Sequence, residues 1–230
     1  MKTIGLIGET TWVSTLEYYR LINEETNKKL GGLNSAKCIL YSFNYVDIDK
    51  LNKAEDHKEI TRLVINAAQK LENASADCLL LCANTMHMYV DELLKHTSLP
   101  LIHIADAAAA EIKKQGFSQV GLLGTRWTME MDFYTKRLED GGIKTIVPEK
   151  PEREFIHKSI MEEFAKEIFL EETKDKFLKI INDLEQKGAP GIVLGCTEIP
   201  LLIKQADCHL PIFNTLELHA KAAVEFAVGD

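Results

Sequence analysis

The sequence predicts an α/β protein built from two pseudo-symmetric Rossmann-like lobes, each with a parallel sheet. Strand-like and helix-like segments alternate along its 230 residues. Two apolar runs, at residues 77–82 and 190–194, each end in small polar residues, as buried parallel strands do at their carboxyl ends. Residues 3–10 and 119–126 also resemble each other, at nearly the spacing that separates the two runs. These paired matches favour a duplicated α/β unit.

The elements of the first lobe follow from the hydrophobic pattern. Residues 2–8 read as an apolar strand, and residues 14–30 repeat apolar residues at helical spacing until Gly31 and Gly32 end the helix. The pattern then predicts strands at 37–45 and 77–82, and helices at 59–73 and 88–94.

The second lobe begins after Pro100, with a strand at 101–104 and a helix at 107–115 that closes at Gly116. Its remaining elements are strands at 119–124, 144–147, 190–195 and 211–214 and helices at 152–166, 172–187 and 216–228. We expect one lobe at 1–98 plus 212–230, to which the last helix returns, and another at 99–211. The active site is expected in the cleft between the carboxyl ends of the two sheets.

Composition narrows the class of partner. Hydrophobic residues make up 46% and charged residues 27%, and the net charge is −8, which argues against nucleic acid or an anionic membrane as the main partner. The sequence shows neither a signal-peptide pattern nor an apolar run of membrane-spanning length, so we expect a cytoplasmic protein with a small-molecule ligand. Five cysteines without paired spacing predict reduced thiols, with no disulfide framework and no metal site.

The loop at Gly195, Cys196, Thr197 and Glu198 is the strongest candidate for chemistry. A thiol between a strand end and a helix start lies near backbone N–H groups, which are expected to lower its pKa and favour the thiolate. A thiolate can remove a proton from carbon. The alternative interpretation is a buried structural cysteine.

Other polar residues follow the predicted strands. Asn84 and Thr85 can present donors to a carboxylate, or they can simply cap the following helix. Thr10, Thr11 and Thr125 follow the first strand of each lobe and can bind a small anion, or serve as turn and cap residues. These loops lack the spacing of a dinucleotide fingerprint or a P-loop, so a nucleotide cofactor is not indicated.

These residues resemble the aspartate/glutamate racemase family over nearly the whole chain. The closest match is the segment Gly195-Cys196-Thr197-Glu198-Ile199, within residues 192–202. The similarity also covers residues 1–8, Trp12, Ser14-Thr15, Tyr18-Tyr19, Leu21-Ile22-Asn23, Asn84-Thr85-Met86-His87 and Leu122-Leu123-Gly124-Thr125. The Asn-Thr-Met-His motif resembles the one found in the branch of the family that includes broad-specificity and L-aspartate/L-glutamate racemases.

The resemblance implies cofactor-independent 1,1-proton transfer on an amino acid, without pyridoxal phosphate. Two acid/base groups act on opposite faces of the α-carbon, one as a thiolate base and one as a proton donor. Asn84, Thr85 and Thr197 are implied to hold the α-carboxylate and to stabilise the charge that develops. The resemblance also implies a homodimer.

The sequence departs from the family pattern at the first acid/base position. The family places Cys, or in some members Thr, immediately before the Asn, whereas this chain has Ala83, whose methyl group carries no exchangeable proton. Cys82 stands one residue earlier, but side chains alternate along a strand, so its sulfur is expected to point to the other face.

Two further departures concern the substrate. Glu9 introduces a carboxylate near a site expected to receive an anionic amino acid. Phe155 stands where many aspartate-specific members supply a basic residue, a role that His157 or Lys158 can take instead.

Three functions therefore compete. The first is an amino-acid racemase in which Cys196 is the clear acid/base and Ala83 weakens or abolishes turnover. The second is a single-cysteine decarboxylase of the same superfamily, similar to arylmalonate decarboxylases. The third is a catalytically inactive homologue that binds an amino acid.

Overall fold

Two parallel β-sheets form the framework of the protein in the computed structural model, which describes residues 1–8 and 12–229. The chain divides into two units: Met1–His103 together with His219–Asp230, and Ile104–Leu218. The predicted α/β class with two parallel sheets is confirmed.

The first unit carries a three-stranded sheet flanked by helices. Its strands are β1 (Thr3–Gly8), β2 (Lys37–Ser42) and β3 (Cys78–Leu81). Its helices are α1 (Trp12–Leu30), α2 (Tyr45–Lys53), α3 (His57–Asn73) and α4 (Val90–Leu93), and a 3₁₀ turn at Thr85–Tyr89 precedes α4.

The second unit carries a four-stranded sheet. Its strands are β4 (Gln119–Gly124), β5 (Lys144–Ile146), β6 (Ile192–Gly195) and β7 (Ile212–Asn214). Its helices are α5 (Ile104–Lys114), α6 (Arg126–Glu130), α7 (Asp132–Asp140), α8 (Lys150–Glu162), α9 (Glu171–Gln186) and α10 (Ile199–Leu202), with 3₁₀ turns at Phe164–Lys166 and Gln205–Asp207. Helix α11 (Thr215–Val228) begins in this unit and ends in the first.

The two sheets have the same strand order. The first runs β2-β1-β3, and an isolated parallel bridge between Leu79 and Leu101 extends it beyond β3. The second runs β5-β4-β6-β7. In each sheet the first strand of the unit is central, and the third lies beside it. This shared order is the structural counterpart of the repeat seen in the sequence.

Apolar burial explains why β3 and β6 form. All four residues of β3 and all four of β6 are buried, as expected for strands covered on both faces. One apolar cluster joins β3 to α3 in the first unit, and another joins β4 and β6 to α5, α8 and α9 in the second.

The structure divides the chain at other positions than the sequence suggested. The expected strand at 101–104 is reduced to the bridge at Leu101, and α5 already begins at Ile104. Residues 99–103 therefore belong to the first unit, because Leu101 pairs with its β3 strand. Residues 212–218 belong to the second unit, because β7 pairs with β6.

Three helices within residues 45–140 were not predicted: α2, α6 and α7. They are short, so their apolar residues do not establish a clear helical period. No helix in the described part of the chain is long and apolar enough to span a membrane.

Candidate active site

Cys196 follows β6 directly and is 4% exposed. Gly124 pairs with Gly195, so Thr125 and Cys196 begin neighbouring loops at the carboxyl edge of the second sheet. The glycine before the cysteine is required by packing. A Cβ at Gly195 would lie 2.9 Å from Leu122 Cδ1 and 3.1 Å from the Leu123 carbonyl oxygen.

Glu198 is the polar partner of the thiol. Cys196 Sγ donates to Glu198 Oε2 over 3.0 Å, and Thr197 Oγ1 donates to the same oxygen over 2.9 Å. Glu198 is 1% exposed, and Thr197 is also buried. The loop therefore holds a thiol, a hydroxyl and a carboxylate in one buried group.

The expectation of a lowered cysteine pKa is wrong. Burial raises the pKa of the Cys196 thiol well above its usual value, and the charge and hydrogen bond of Glu198 raise it further. The backbone N–H groups of Glu198 and Ile199 act in the opposite direction, but less strongly. Cys196 thus rests as a thiol that donates to a carboxylate.

Ala83 lies just past β3 and is 2% exposed. Its methyl group belongs to the apolar cluster that also contains Leu79, Leu81 and Met86. Leu79 and Leu81 share one face of β3, and the Ala83 side chain joins the same cluster just past the strand end. The position where the family pattern calls for an acid/base is therefore an apolar packing position in this chain.

Cys82 is fully buried, lies just past the end of β3 and is outside that cluster. Its Sγ makes a weak contact of 3.9 Å with the Leu80 carbonyl oxygen. Burial strongly raises the pKa of this thiol. Cys82 has the environment of an unreactive structural cysteine.

Asn84 and Thr85 open the 3₁₀ turn at Thr85–Tyr89. Asn84 is 3% exposed, and Thr85 is half-buried. The backbone carbonyl of Asn84 accepts the His87 N–H over 3.1 Å, but within the described chain its side chain does not cap the turn. The capping alternative is therefore wrong for Asn84, whereas a role in carboxylate binding stays a prediction for both residues.

Three buried histidines, His87, His103 and His219, meet in the first unit, and Tyr18 contacts His219 there. The rings of His87 and His103 have centroids 4.4 Å apart, and the His87 and His219 centroids are 5.6 Å apart. His87 Nδ1 donates to the Ala83 carbonyl oxygen over 2.9 Å, so this nitrogen carries the proton. Burial lowers the pKa of His87 well below its usual value, so the ring is neutral.

Thr125 caps α6 through its side chain. Its Oγ1 accepts the Thr128 N–H over 3.3 Å and lies 3.1 Å from Thr128 Oγ1. The capping role, one of the two interpretations of this residue, is thus present, and anion binding by Thr125 stays a prediction. Thr10 and Thr11, as well as Glu9, lie outside the described residues.

The three residues considered at the position that would bind a distal carboxylate have different surroundings in the structure. His157 Nδ1 accepts the Arg126 N–H over 3.4 Å, and burial, followed by the charge of Arg126, lowers the pKa of this histidine. Lys158 is exposed and pairs with Glu162 over 3.7 Å. Phe155 packs near Phe177, with ring centroids 5.9 Å apart. His157 lies beside Arg126, and Phe155 lies beside Lys176, whose Nζ is 3.7 Å from the centroid of the Phe155 ring.

Within residues 1–8 and 12–229, no group of three or more histidines, cysteines or acidic residues is arranged to hold a metal ion. The rings of His87 and His219 each contact a carbonyl oxygen, and the His87 and His103 rings pack against each other.

Comparison with known proteins identifies the family. The model of the Asp/Glu/Hydantoin racemase family matches residues 4–223, which is most of the chain. The chain belongs to this racemase family. The resemblance seen in the sequence is therefore confirmed.

Members of the racemase family with known structures share the fold over the full length. A Yersinia pestis protein described as a candidate Asp/Glu racemase is 44% identical, with a TM-score of 0.93 and 100% of both chains covered. An aspartate racemase homologue from Pyrococcus horikoshii OT3 is 37% identical, with a TM-score of 0.87 and the same coverage. The broad-specificity amino-acid racemase RacX of Bacillus subtilis is 25% identical over 177 residues, covering 74% of this chain and 73% of RacX.

Two features of this racemase-family chain were missed by sequence reasoning. The first is Glu198 as the partner of the thiol, for which a carboxylate two residues after a cysteine is a visible signal in the sequence. His103 and His219 are distant from His87 in the sequence, and no local pattern indicates that the three rings meet.

Proposed function

We propose that this chain is a cofactor-independent amino-acid racemase in which Cys196 is the acid/base on one face of the α-carbon. The main support for this proposal is the buried thiol at the carboxyl end of β6, which donates a hydrogen bond to a carboxylate. The chain that holds this thiol belongs to the racemase family. The substrate is an amino acid, with aspartate and glutamate as first candidates because the family model is named for them.

The proposed chemistry needs a proton to leave the α-carbon and another to arrive from the opposite side. In its thiolate form, Cys196 removes the first proton, and the electron pair spreads from the α-carbon into the α-carboxylate. Donors of the Asn84, Thr85 and Thr197 type would stabilise the charge on that carboxylate. Thr10, Thr11 and Thr125 are proposed as further substrate contacts. The site is proposed at the carboxyl end of β6, in a homodimer.

Ala83 limits the second step. A methyl group cannot deliver a proton, so inversion has to rely on water or fail altogether. We therefore propose that the chain exchanges the α-proton of a bound amino acid faster than it inverts the α-carbon. A proton that returns from the Cys196 side restores the original configuration.

The experiment is α-proton exchange in deuterated water, followed by proton NMR for each enantiomer of aspartate and glutamate, with chiral chromatography to measure inversion. We expect exchange that exceeds inversion and that Cys196→Ala abolishes. A lack of exchange with every enantiomer, in the wild type and in Ala83→Cys and Ala83→Thr variants, would contradict the proposal.

A second candidate is favoured by the same apolar Ala83. A single-cysteine decarboxylase needs one proton donor only, so a methyl group opposite that donor does no harm. Release of carbon dioxide from a disubstituted malonate, lost in Cys196→Ala, would favour this function over racemisation. Calorimetric binding of an amino acid without exchange or decarboxylation would instead indicate a binding protein.

A further inference from the structure

The His87 ring donates a hydrogen bond to the backbone of the loop that precedes it. Its Nδ1 lies 2.9 Å from the carbonyl oxygen of Ala83, four residues earlier. In an α-helix the backbone N–H of residue 87 would bond to that carbonyl. Here the turn is a 3₁₀ turn, and this N–H bonds to the Asn84 carbonyl oxygen over 3.1 Å. The side chain of His87 therefore takes the place of a backbone donor at Ala83.

Neighbouring side chains hold the His87 ring in this direction. His87 is 3% exposed, and the centroid of its ring lies 4.4 Å from that of His103 and 5.6 Å from that of His219. His219 is itself fixed, since its ring nitrogens lie 2.8 Å from the Tyr18 hydroxyl oxygen and 2.7 Å from the Ile102 carbonyl oxygen. The His87 ring thus has little freedom to leave the Ala83 carbonyl.

The His87 ring is a neutral donor. Burial, followed by the nearby His103 and His219, lowers the pKa of His87 well below its usual value. A neutral imidazole carries one proton, and the Ala83 carbonyl oxygen can only accept, so that proton is on Nδ1. His87 therefore holds the loop without adding a positive charge to it.

The direction of the Ala83 carbonyl also sets the direction of the Asn84 amide. The two groups belong to one planar trans peptide, so the Asn84 N–H points opposite to the carbonyl and away from the His87 ring. A hydrogen bond accepted by the carbonyl polarises this peptide and strengthens its N–H as a donor. Asn84 and Thr85 are the two residues proposed to hold the α-carboxylate, and they follow this peptide directly.

We propose that His87 is a positioning residue that orients the Ala83–Asn84 peptide, so that Asn84 and Thr85 bind the α-carboxylate of the amino acid. This inference rests on the proposed function and adds a residue that acts through the loop without touching the substrate. The ring keeps its proton on Nδ1 throughout. Because the α-carboxylate takes up charge when the α-carbon loses its proton, the loop has to hold its direction during the reaction as well as during binding.

The test compares the wild type with His87→Asn, His87→Leu and the control His209→Leu. The amide nitrogen of asparagine occupies nearly the place of the histidine Nδ1, so His87→Asn can keep the donor. Leucine has nearly the shape of asparagine and lacks the donor. Both variants lose the same ring contacts with His103 and His219, so the difference between them isolates the hydrogen bond. His209 is exposed, and its variant reports the effect of losing a surface histidine.

The first measurement needs no substrate. Nitrogen-15 NMR of the histidine rings distinguishes the two neutral tautomers, and the His87 signal is the one that disappears in His87→Asn. We expect this signal to show the proton on Nδ1 at neutral pH. Amide hydrogen exchange at residues 84–87 should be about tenfold faster or more in His87→Leu than in the wild type, and His87→Asn should return it to within about threefold.

The second measurement is α-proton exchange of aspartate and glutamate as a function of substrate concentration. We expect His87→Leu to raise KM by about tenfold or more, because the α-carboxylate loses its oriented donors. A loss of folded protein would instead lower the rate at saturation and leave KM unchanged. His87→Asn should keep KM within about threefold of the wild-type value, and His209→Leu should match the wild type.

The outcomes separate this proposal from the racemase function. A proton on Nε2 of His87, or equal hydrogen exchange in His87→Asn and His87→Leu, overturns the positioning role. Faster hydrogen exchange in His87→Leu with an unchanged KM also overturns it, since His87 would then serve the turn alone.

Calorimetric titration with aspartate and glutamate covers the remaining case. If the wild type binds either amino acid without exchanging its α-proton, the racemase function is contradicted. Weaker binding by His87→Leu than by His87→Asn then still supports the role of His87. Equal binding by the two variants, or a wild type that binds neither amino acid, overturns that role.

Discussion

Tyr18 on α1 donates its buried hydroxyl to Nδ1 of His219 on α11 over 2.8 Å. The other ring nitrogen of His219 lies 2.7 Å from the Ile102 carbonyl oxygen, which can only accept, so Nε2 carries the proton. The neutral ring therefore has a partner for each nitrogen. Burial lowers the pKa of His219 to about 4, since a charged ring would lose both its solvation and the bond from Tyr18.

This arrangement predicts a loss of stability in mild acid. His219 titrates near pH 6.5 in the unfolded chain and at about 4 in the folded one, so the unfolded chain binds the proton first as the pH falls. The stabilisation is complete above pH 6.5 and is lost as the pH falls toward 4. Urea unfolding at pH 7 and at pH 5 should differ by roughly 1–2 kcal/mol through this residue.

His219→Gln removes the titrating ring, so its unfolding free energy should fall less steeply between the two pH values than that of wild type. His209→Gln is the control, because His209 is exposed and pairs with Glu185 at the surface. Equal pH slopes for wild type and His219→Gln would contradict the assignment.

Two buried tyrosines should respond oppositely to removal of the hydroxyl. Tyr134 is fully buried, and among the described residues its hydroxyl has no hydrogen-bond partner. Tyr134→Phe should leave the free energy of unfolding unchanged or raise it by up to about 1 kcal/mol. Tyr18→Phe should lower it by about 1–3 kcal/mol, because His219 Nδ1 loses its donor. Denaturant titration of both variants measures the contrast, and a marked destabilisation by Tyr134→Phe would indicate a bound water at that hydroxyl.

Ala83→Thr should raise the inversion rate by about 100-fold or more, because it places a proton-carrying hydroxyl where the family has its first acid/base. Ala83→Val is the matched control, since valine has nearly the shape of threonine without the hydroxyl. Chiral chromatography of aspartate and glutamate measures the rates. A gain by valine as large as that by threonine would indicate a packing effect at this buried position.

Cys82→Ala should leave α-proton exchange unchanged, because this buried sulfur lies outside the apolar cluster that holds Ala83 and makes a weak contact of 3.9 Å with the Leu80 carbonyl oxygen. Stability should fall by about 1 kcal/mol through the lost volume in the core. Cys196→Ala serves as the contrasting variant and should abolish exchange. NMR detection of deuterium incorporation compares the two, and a loss of exchange in Cys82→Ala would assign this thiol a part in the chemistry.

Much of the fold was predictable because it depends on local patterns. The residues of β3 and β6 form short continuous apolar runs. Such runs are typical of parallel strands that are buried on both faces of a sheet. The expected strand at 101–104 failed because Leu101 forms a single bridge, whereas Ile104 already begins α5. A short apolar segment does not distinguish a strand from a helix start.

The sequence by itself determined the α/β class, the repeated unit and the candidate residues Cys196 and Ala83, since strand periodicity and motif spacing are properties of neighbours along the chain. Only the tertiary structure decided how those residues behave. The pKa of Cys196 rises because folding buries its sulfur and turns the Glu198 carboxylate toward it. His87, His103 and His219 meet because the chain returns to the first unit through α11. Burial and contacts between distant residues set pKa values and tautomers, and neither is encoded in a local pattern.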